Sequence, residues 1–267
     1  MDKENNNLCK LINGIKMMLL TFGYAVVDET WNGTVLSPSY SRLYYIIDGK
    51  ANITLPSGEI TTLIPGKWYL LPNGCSFDFN CEHNLEHIYF HLKISSFSGI
   101  DLLQNCKKPV FIDYPQFNHL ELIKYLDCYD TLSGIYVHQF VEKLIFLILD
   151  KNKILLEVKE FSPCVSNAIK YINNNLSLQL SLSEILTDTF VSKSTLTKHF
   201  KKELGISVHE YIFDKIMFEV EQLLLQTKMS IGEISDKYKF YDQFYFSRIF
   251  KKRYGISPSE YRKIKIM

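Results

Sequence analysis

Two short stretches carry cations at helical spacing: Lys198, Lys201 and Lys202 in one, Arg248, Lys251 and Lys252 in the other. In each stretch a pair of apolar residues four apart, Leu196 with Phe200 and Phe246 with Phe250, marks the opposite side of a helix. One face packs and the other is basic. That is the chemistry of holding a polyanion: ammonium and guanidinium groups neutralise phosphates and release their counterions.

The two stretches are copies of one pattern. Phe250-Lys251-Lys252-Arg253-Tyr254-Gly255-Ile256-Ser257-Pro258-Ser259-Glu260-Tyr261 repeats Phe200-Lys201-Lys202-Glu203-Leu204-Gly205-Ile206-Ser207-Val208-His209-Glu210-Tyr211 at an offset of 50. Further upstream, Ser181-Leu182-Ser183-Glu184-Ile185 matches Ser230-Ile231-Gly232-Glu233-Ile234 at an offset of 49, so the second copy holds one extra residue between its parts. A slip of that kind belongs in a turn.

The elements that position the cations follow from capping chemistry. Ser181 with Glu184, Ser207 with Glu210, Ser230 with Glu233 and Ser257 with Glu260 have the Ser-x-x-Glu spacing. There the hydroxyl and the carboxylate each satisfy a free backbone N–H at a helix start. Each copy therefore reads as helix, turn, helix. Between the copies, Val208 to Gln226 contains no Pro or Gly and carries Tyr211, Ile212, Ile216, Val220, Leu223 and Leu224. It is predicted to be one helix of roughly 19 residues, roughly 28 Å long. Successive major-groove segments on one side of B-DNA recur about every 34 Å. A strut of this length can present two reading helices to two successive grooves.

These residues resemble the AraC/XylS-type transcriptional regulators, whose DNA-binding domain has two helix-turn-helix units joined by a long helix. The resemblance is carried by Phe240-Tyr241-Asp242-Gln243-Phe244-Tyr245-Phe246-Ser247-Arg248-Ile249-Phe250-Lys251-Lys252, then Gly255-Ile256-Ser257-Pro258 and Tyr261-Arg262, and covers about 100 residues. It implies base contacts at Ser194, Thr197 and Lys198 in the first unit and at Gln243, Phe244, Ser247 and Arg248 in the second. The side chains suit base reading, since Arg248 matches guanine O6 and N7, Gln243 matches adenine N6 and N7, and Phe244 packs on a thymine methyl. The first unit offers small hydroxyls and one Lys, so phosphate contacts are expected to dominate there, at Ser192, Lys193 and Lys201, with Lys251 as their counterpart in the second. The family usually has Gly at the turn before each reading helix, where Phe190 and Lys239 stand here. Gly is favoured there because positive φ costs other residues.

Charge divides along the chain. From Pro163 onward 16 Lys and Arg face 11 Asp and Glu, a balance of +5; before it 14 face 18, a balance of −4. The basic half is the duplicated half, as phosphate binding requires. A length of 267 residues, 46% apolar and 22% charged, fits two soluble globular domains. Met1 to Lys10 is polar and Asn-rich, and no stretch reaches the roughly 18 apolar residues of a membrane span. A cytoplasmic location without membrane contact is expected. The six cysteines show no C-x-x-C pairing and are expected to be free thiols.

From about Phe22 to Lys93 the period shortens to runs of strand type with turn signals between them. Leu43–Ile47, Asn52–Leu55, Thr61–Ile64, Trp68–Leu71 and His87–Leu92 are predicted strands, separated by Asp48-Gly49, Pro56-Ser57-Gly58, Pro65-Gly66 and Pro72-Asn73-Gly74. This part resembles the cupin-like barrel found at the front of the same family, where it holds a small effector. The usual cupin metal motif is absent, because no His precedes His83. On a strand only His87 and His91 of the set His83, His87 and His91 share a face, together with Tyr89. No metal and no cofactor is expected. For an effector, the candidates are Arg42, which can pair with a carboxylate, a phosphate or a sugar hydroxyl, its neighbour Tyr44, and Trp68, Tyr89 and His91.

Between the two regions, Leu120, Ile123, Leu126 and Tyr129 space as one helix face, Ser133-Gly134 is read as a break, and Ile135 to Asp150 is a second helix, apolar on more than one side. One of its faces can cover the barrel while the other meets a second copy of the chain; internal packing alone is the alternative. Glu157 to Pro163 reads as a linker, and a helix from Cys164 to Asn174 opens the last domain.

The expected fold is α+β with two domains: residues 1–115 an antiparallel, cupin-like β-barrel, 116–159 a helical hairpin for dimerisation, and 160–267 an all-α domain with two helix-turn-helix units joined by a long helix. The expected function is sequence-specific regulation of transcription under a small-molecule effector, without enzyme activity. The partners implied are double-stranded DNA, an unidentified effector, a second copy through the middle helices and RNA polymerase. Two alternatives stay open: a constitutive DNA-binding regulator whose barrel only dimerises, and a metal-dependent cupin enzyme fused to a DNA-binding domain.

Overall fold

The computed structural model of the chain describes residues 9, 12–35, 39–96, 99–114, 117–156 and 161–263. Two compact units divide it, Met1–Val158 and Lys159–Lys265.

The first unit holds two antiparallel sheets. Strands β1 (Ile15–Val27), β8 (Leu85–Ser96), β3 (Ser41–Asp48), β6 (Lys67–Leu71) and β9 (Val110–Asp113) lie side by side in that order; β2 (Asn32–Val35), β7 (Phe77–Cys81), β4 (Ala51–Thr54) and β5 (Ile60–Leu63) form the other sheet. Alternation along each strand sorts side chains to opposite faces. In β3, Leu43 and Tyr45 join a core under two helices, while Tyr44 and Ile46 join the core between the sheets. In β6, Trp68 and Leu70 go to the helices and Tyr69 and Leu71 to the sheet interior. Turn chemistry fixes the β3–β4 hairpin: Gly49 has φ +83°, and a Cβ there would lie 2.1 Å from the Asn84 carbonyl oxygen.

β1, β2, β7 and β9 fall outside the strands expected from the sequence. For β1 the reason is local: its register against β8 shifts between Leu19 and Thr21, a bulge that breaks the period of two. Being an edge strand, it leaves Phe22, Tyr24 and Val26 exposed, which masks the apolar alternation further.

Helix α1 (His119–Leu126) is capped by Asn118, and α2 (Thr131–Lys151) by Asp130, whose side chain accepts from the N–H groups of Leu132 and Ser133. The Asp130 cap carries α2 straight through Ser133 and Gly134, in place of the expected break. Tyr129, expected on the face of the first helix, lies beyond its end and is fully exposed. Val137, Val141, Leu144, Ile145 and Ile148 of α2 are buried against the outer face of the five-stranded sheet. By length and composition α2 could cross a membrane, yet this buried side makes it the covering helix of a domain.

In the second unit helices follow one another closely: α3 (Pro163–Asn174), α4 (Leu182–Thr189), α5 (Lys193–Leu204), α6 (Val208–Gln226), α7 (Ile231–Lys237), α8 (Gln243–Tyr254) and α9 (Pro258–Lys263). Four Ser–Glu capping boxes start α4, α6, α7 and α9; in the last, the Ser257 N–H donates to Glu260 and the Glu260 N–H to Ser257 Oγ. Pro163 at the first turn begins α3, and most of the expected linker, residues 157–160, lies outside the described residues. Leu196 and Phe200 of α5, Phe246 and Phe250 of α8, and Tyr211, Ile212, Ile216, Met217, Val220 and Leu224 of α6 share a single core. Each fully buried Phe contributes about 2 to 3 kcal/mol by area removed from water.

The two copies also end alike. Gly205 and Gly255 close α5 and α8 in the left-handed region, donating to the carbonyls of Lys201 and Lys251. Phe190 and Lys239 close α4 and α7 with φ of 54° and 55°, so the turn keeps its left-handed shape without glycine. From Phe190 the helix cap Ser192 is reached across Val191 alone; from Lys239 the cap Asp242 is reached across Phe240 and Tyr241. The extra residue of the second copy sits in this turn.

Candidate nucleic-acid interface

α5 and α8 are positioned by the burial just described, which turns their remaining faces outward. On α5, Lys193, Ser194, Thr197, Lys198 and Lys201 are exposed, and its cap Ser192 is exposed too. On α8, Gln243, Phe244, Arg248 and Lys251 are exposed, while Ser247 is half-buried. Thus the expected contact residues of each copy lie along one helix, on the side away from Leu196 and Phe200 or Phe246 and Phe250. Each helix also presents an N-terminus capped by a side-chain oxygen: Thr195 N–H donates to Ser192 Oγ at 3.2 Å, and Tyr245 N–H to Asp242 Oδ1 at 2.6 Å. Unpaired N–H groups and the helix dipole at such an end favour phosphate.

Hydrogen bonding narrows what the small hydroxyls can do. Thr197 Oγ1 donates to the Lys193 carbonyl at 2.8 Å, and Ser247 Oγ donates to the Gln243 carbonyl at 2.7 Å. With their protons used inside the helix, both present lone pairs outward and suit the amino groups of adenine or cytosine. The Ser192 hydroxyl is spent on its cap and on Ser194 and Thr195. Phe244 stands 67% exposed, an apolar ring held in water where a thymine methyl would relieve it. Tyr241, 89% exposed beside the cap of α8, is a further surface residue that the sequence reading does not include. Its signal is present in the chain: it is one of the residues that lengthen the second turn.

In the first unit, Arg42, Tyr44, Tyr89 and His91 are gathered between the sheets. Arg42 registers with His91 across β8, donates to Tyr40 OH at 3.2 Å and stacks over the Tyr40 ring at 4.5 Å. Rings continue inward: Tyr40 to His91 at 4.9 Å, His91 to Tyr89 at 5.5 Å, Tyr89 to His87 at 5.9 Å, and His87 to Tyr44 at 5.6 Å. Trp68 is not among them: it is fully buried on the opposite face, against Tyr45, Phe90, Phe117 and Phe140. The tryptophan at the interior is Trp31, 5.9 Å from His87. Register explains the exchange, since Trp68 sits one residue out of phase with Tyr69 on a strand whose two faces are both buried.

Burial sets the charge state here. It pushes the His87 imidazolium down to about 4 and the Tyr44 phenol up to about 12. Burial, with Arg42 and His87 nearby, holds His91 well below the ordinary histidine range. Both imidazoles are therefore neutral at pH 7, and the Arg42 guanidinium is the cation of the cluster. His87 Nδ1 and Tyr89 OH are buried without a hydrogen-bond partner among the described residues. No group of three His, Cys, Asp or Glu among those residues is placed to hold a metal ion.

A family model described as "Helix-turn-helix domain" matches residues 185–264. Over 249 residues the chain is 26% identical to the lactose operon transcription activator of Staphylococcus xylosus, covering 89% of this chain and 88% of that one. It is 23% identical over 278 residues to the Msm operon regulatory protein of Streptococcus mutans, 94% of each. Over 102 residues it is 34% identical to the xylose operon regulatory protein of Escherichia coli, 38% of this chain and 26% of that one. Among solved structures, ToxT of Vibrio cholerae superposes with a TM-score of 0.58 at 13% identity, covering 95% of this chain and 100% of ToxT, a likeness of fold. Matched by a helix-turn-helix domain in its repeated half and by operon regulators along nearly all its length, the chain is similar to transcriptional regulators of the AraC/XylS type.

Proposed function

We propose that the chain binds an asymmetric double-stranded DNA site through α5 and α8 and regulates transcription in response to a small molecule held between the sheets of a cupin-like first domain. The observation that carries the DNA part is the repeated exposed face: two helices of one core, each with its apolar side buried and a basic side in water. Ser194, Thr197, Lys198, Gln243, Phe244, Ser247 and Arg248 are assigned to bases, and Ser192 (through its N-terminal position), Lys193, Lys201 and Lys251 to phosphates. The 19-residue α6 is the spacer that sets the two readers a groove repeat apart. The test is selection of bound sequences from random DNA by the full chain, followed by footprinting. Two protected segments about one helical turn apart are expected; a single short footprint would refute the arrangement.

For the effector, Arg42, Tyr44, Tyr89 and His91 form the favoured cluster, with Trp31 in place of Trp68. Neutral imidazoles and phenols among aromatic rings, beside one guanidinium, suit an oxygen-rich ligand. Several relatives are named for sugar operons, lactose and raffinose among them, which favours a saccharide. One ToxT structure is described as bound to unsaturated fatty acid, which makes a carboxylate the second candidate. Thermal shift across sugars and fatty acids separates the two, because a ligand that binds the folded state raises its melting point.

We assign dimerisation to the outer face of α2. Leu132, Ile135 and Phe146 are 77%, 49% and 66% exposed. In an antiparallel pair centred on Gln139, Leu132 of one copy meets Phe146 of the other twice over, the self-complementarity a two-fold interface demands. RNA polymerase is the remaining partner of such a regulator, acting in the cytoplasm.

A further inference from the structure

Residues 203 and 253 occupy the same position of the two copies, and both reach away from the reading face to the helix that precedes their copy. Glu203 of α5 accepts from the Ser162 N–H at 2.8 Å and from the Ser162 hydroxyl at 2.7 Å, and lies 3.0 Å from His199 Nδ1. Arg253 of α8 donates from Nη1 to Asp214 Oδ1 of α6 at 2.6 Å, with the Phe213 ring 5.8 Å from its guanidinium carbon. Both side chains are largely withdrawn from water, 19% and 22% exposed. The charge is inverted between the copies, while the mechanical role is the same.

What differs is the anchor. Asp214 lies within the 19-residue α6, whose Ile212, Ile216 and Met217 are in the core. Ser162 stands at the N-cap position of α3 and its side chain makes no cap bond to that helix. Its hydroxyl and its N–H are both committed to Glu203, and it lies just after residues 157–160, through which the chain arrives from the first unit.

We propose that Glu203 and Arg253 are positioning residues that set the two reading helices, and that only the first setting is adjustable. A displacement of the chain at Ser162 is passed by the Glu203 carboxylate to α5, while α8 stays fixed to α6. This rests on the DNA-binding reading above and adds which half of the site a signal from the first unit would alter.

The experiment uses the full chain and a DNA fragment that the full chain selects from random sequence. Arg248→Ala first identifies the half-site read by α8. Glu203→Ala is then expected to erase the hydroxyl-radical footprint over the other half and to weaken binding about tenfold, the loss expected for charge-assisted hydrogen bonds. Glu203→Gln, whose amide oxygen can still accept from Ser162, should restore most of the footprint. Arg253→Ala should do the reverse, erasing the α8 half alone. In hydrogen exchange, amides of Lys198–Leu204 should be less protected than those of Arg248–Tyr254 in the unaltered protein. If Glu203→Ala weakens both halves equally or neither, the positioning role is overturned while the DNA reading stands. Equal protection of α5 and α8 overturns the adjustable setting. If the unaltered chain selects and protects no DNA, the reading beneath both fails.

Discussion

Replacing Phe190 or Lys239 with glycine should stabilise the second unit. Each holds a left-handed backbone, φ 54° and 55°, which costs a residue with a Cβ about 1 to 2 kcal/mol. Glycine removes that cost but adds roughly 0.5 to 1 kcal/mol of chain entropy to be lost on folding. The Phe190 ring is 92% exposed and Lys239 is exposed as well, so little packing is forfeited. The net gain is about 0.5 to 1 kcal/mol for each substitution, or roughly 2 to 8 °C in the midpoint of a domain of this size. Gly205→Ala and Gly255→Ala form the converse pair: a Cβ added at either position would meet nothing within 4 Å, so the cost is backbone strain alone, about 1 kcal/mol or more. Both tryptophans, Trp31 and Trp68, lie in the first unit. Tryptophan fluorescence therefore follows that unit alone, and the far-ultraviolet circular dichroism transition that fluorescence does not share belongs to the second, which holds most of the helix. A lowered or unchanged helical midpoint in Phe190→Gly and Lys239→Gly would refute the strain argument, and would mean that these exposed side chains stabilise the unit in some other way.

Arg248→Ala should cost about 1 to 3 kcal/mol at one base pair of the site, whereas Lys251→Ala should weaken all sequences alike and lower the salt slope by about 1, both read by gel-shift titration. Phe146→Glu places a charge opposite Leu132 of the second copy and should raise the dissociation constant of the dimer at least about tenfold in sedimentation equilibrium, with the melting point of the monomer unchanged. The first unit should lose stability as pH falls below about 6.5. His87 has its folded-state pKa depressed to about 4, so the unfolded chain binds the extra proton between those values. The stability is full above the unfolded value and is lost toward the folded one, with a slope of order 1 kcal/mol per pH unit between them. His87→Gln should make that slope shallower in pH-dependent melting, with His91 supplying the remainder. In the second unit Glu184, Glu233 and Glu260 are held below the ordinary carboxylate range, Glu184 and Glu260 first by their serine hydroxyls and Glu233 first by the Ser230 N–H. That support is full above the unfolded carboxylate value and fades as pH falls through the folded one.

The second unit can be read from the chain almost to the residue because its rules are local. A Ser-x-x-Glu pair names its own helix start, and α6 from Val208 to Gln226 is bounded by a cap at one end and a β-branched Thr227 in extended conformation at the other. Even the extra residue declares itself as a change of offset. The first unit is less legible because its order comes from pairing across distance. β1 recruits thirteen residues with a bulge in their midst, and nothing within Ile15–Val27 says that β8 is its partner. Trp68 shows the limit for the site: between two buried faces, residue type cannot choose a side, and one step of register moves it from the interior to the helices. The Asp130 cap shows the opposite error, where a Ser-Gly pair reads as a stop although a carboxylate three residues earlier has already started the helix.

The two copies differ by one residue in the turn and also in the side chains that their second helices expose. One offers hydroxyls and lysines, the other an amide, a phenyl ring and a guanidinium. Under the proposed docking, the stretch of duplex that one copy covers has a left end and a right end. Turning that stretch around beside a promoter would swap which end faces the start of transcription, so a single bound copy conveys direction as well as location.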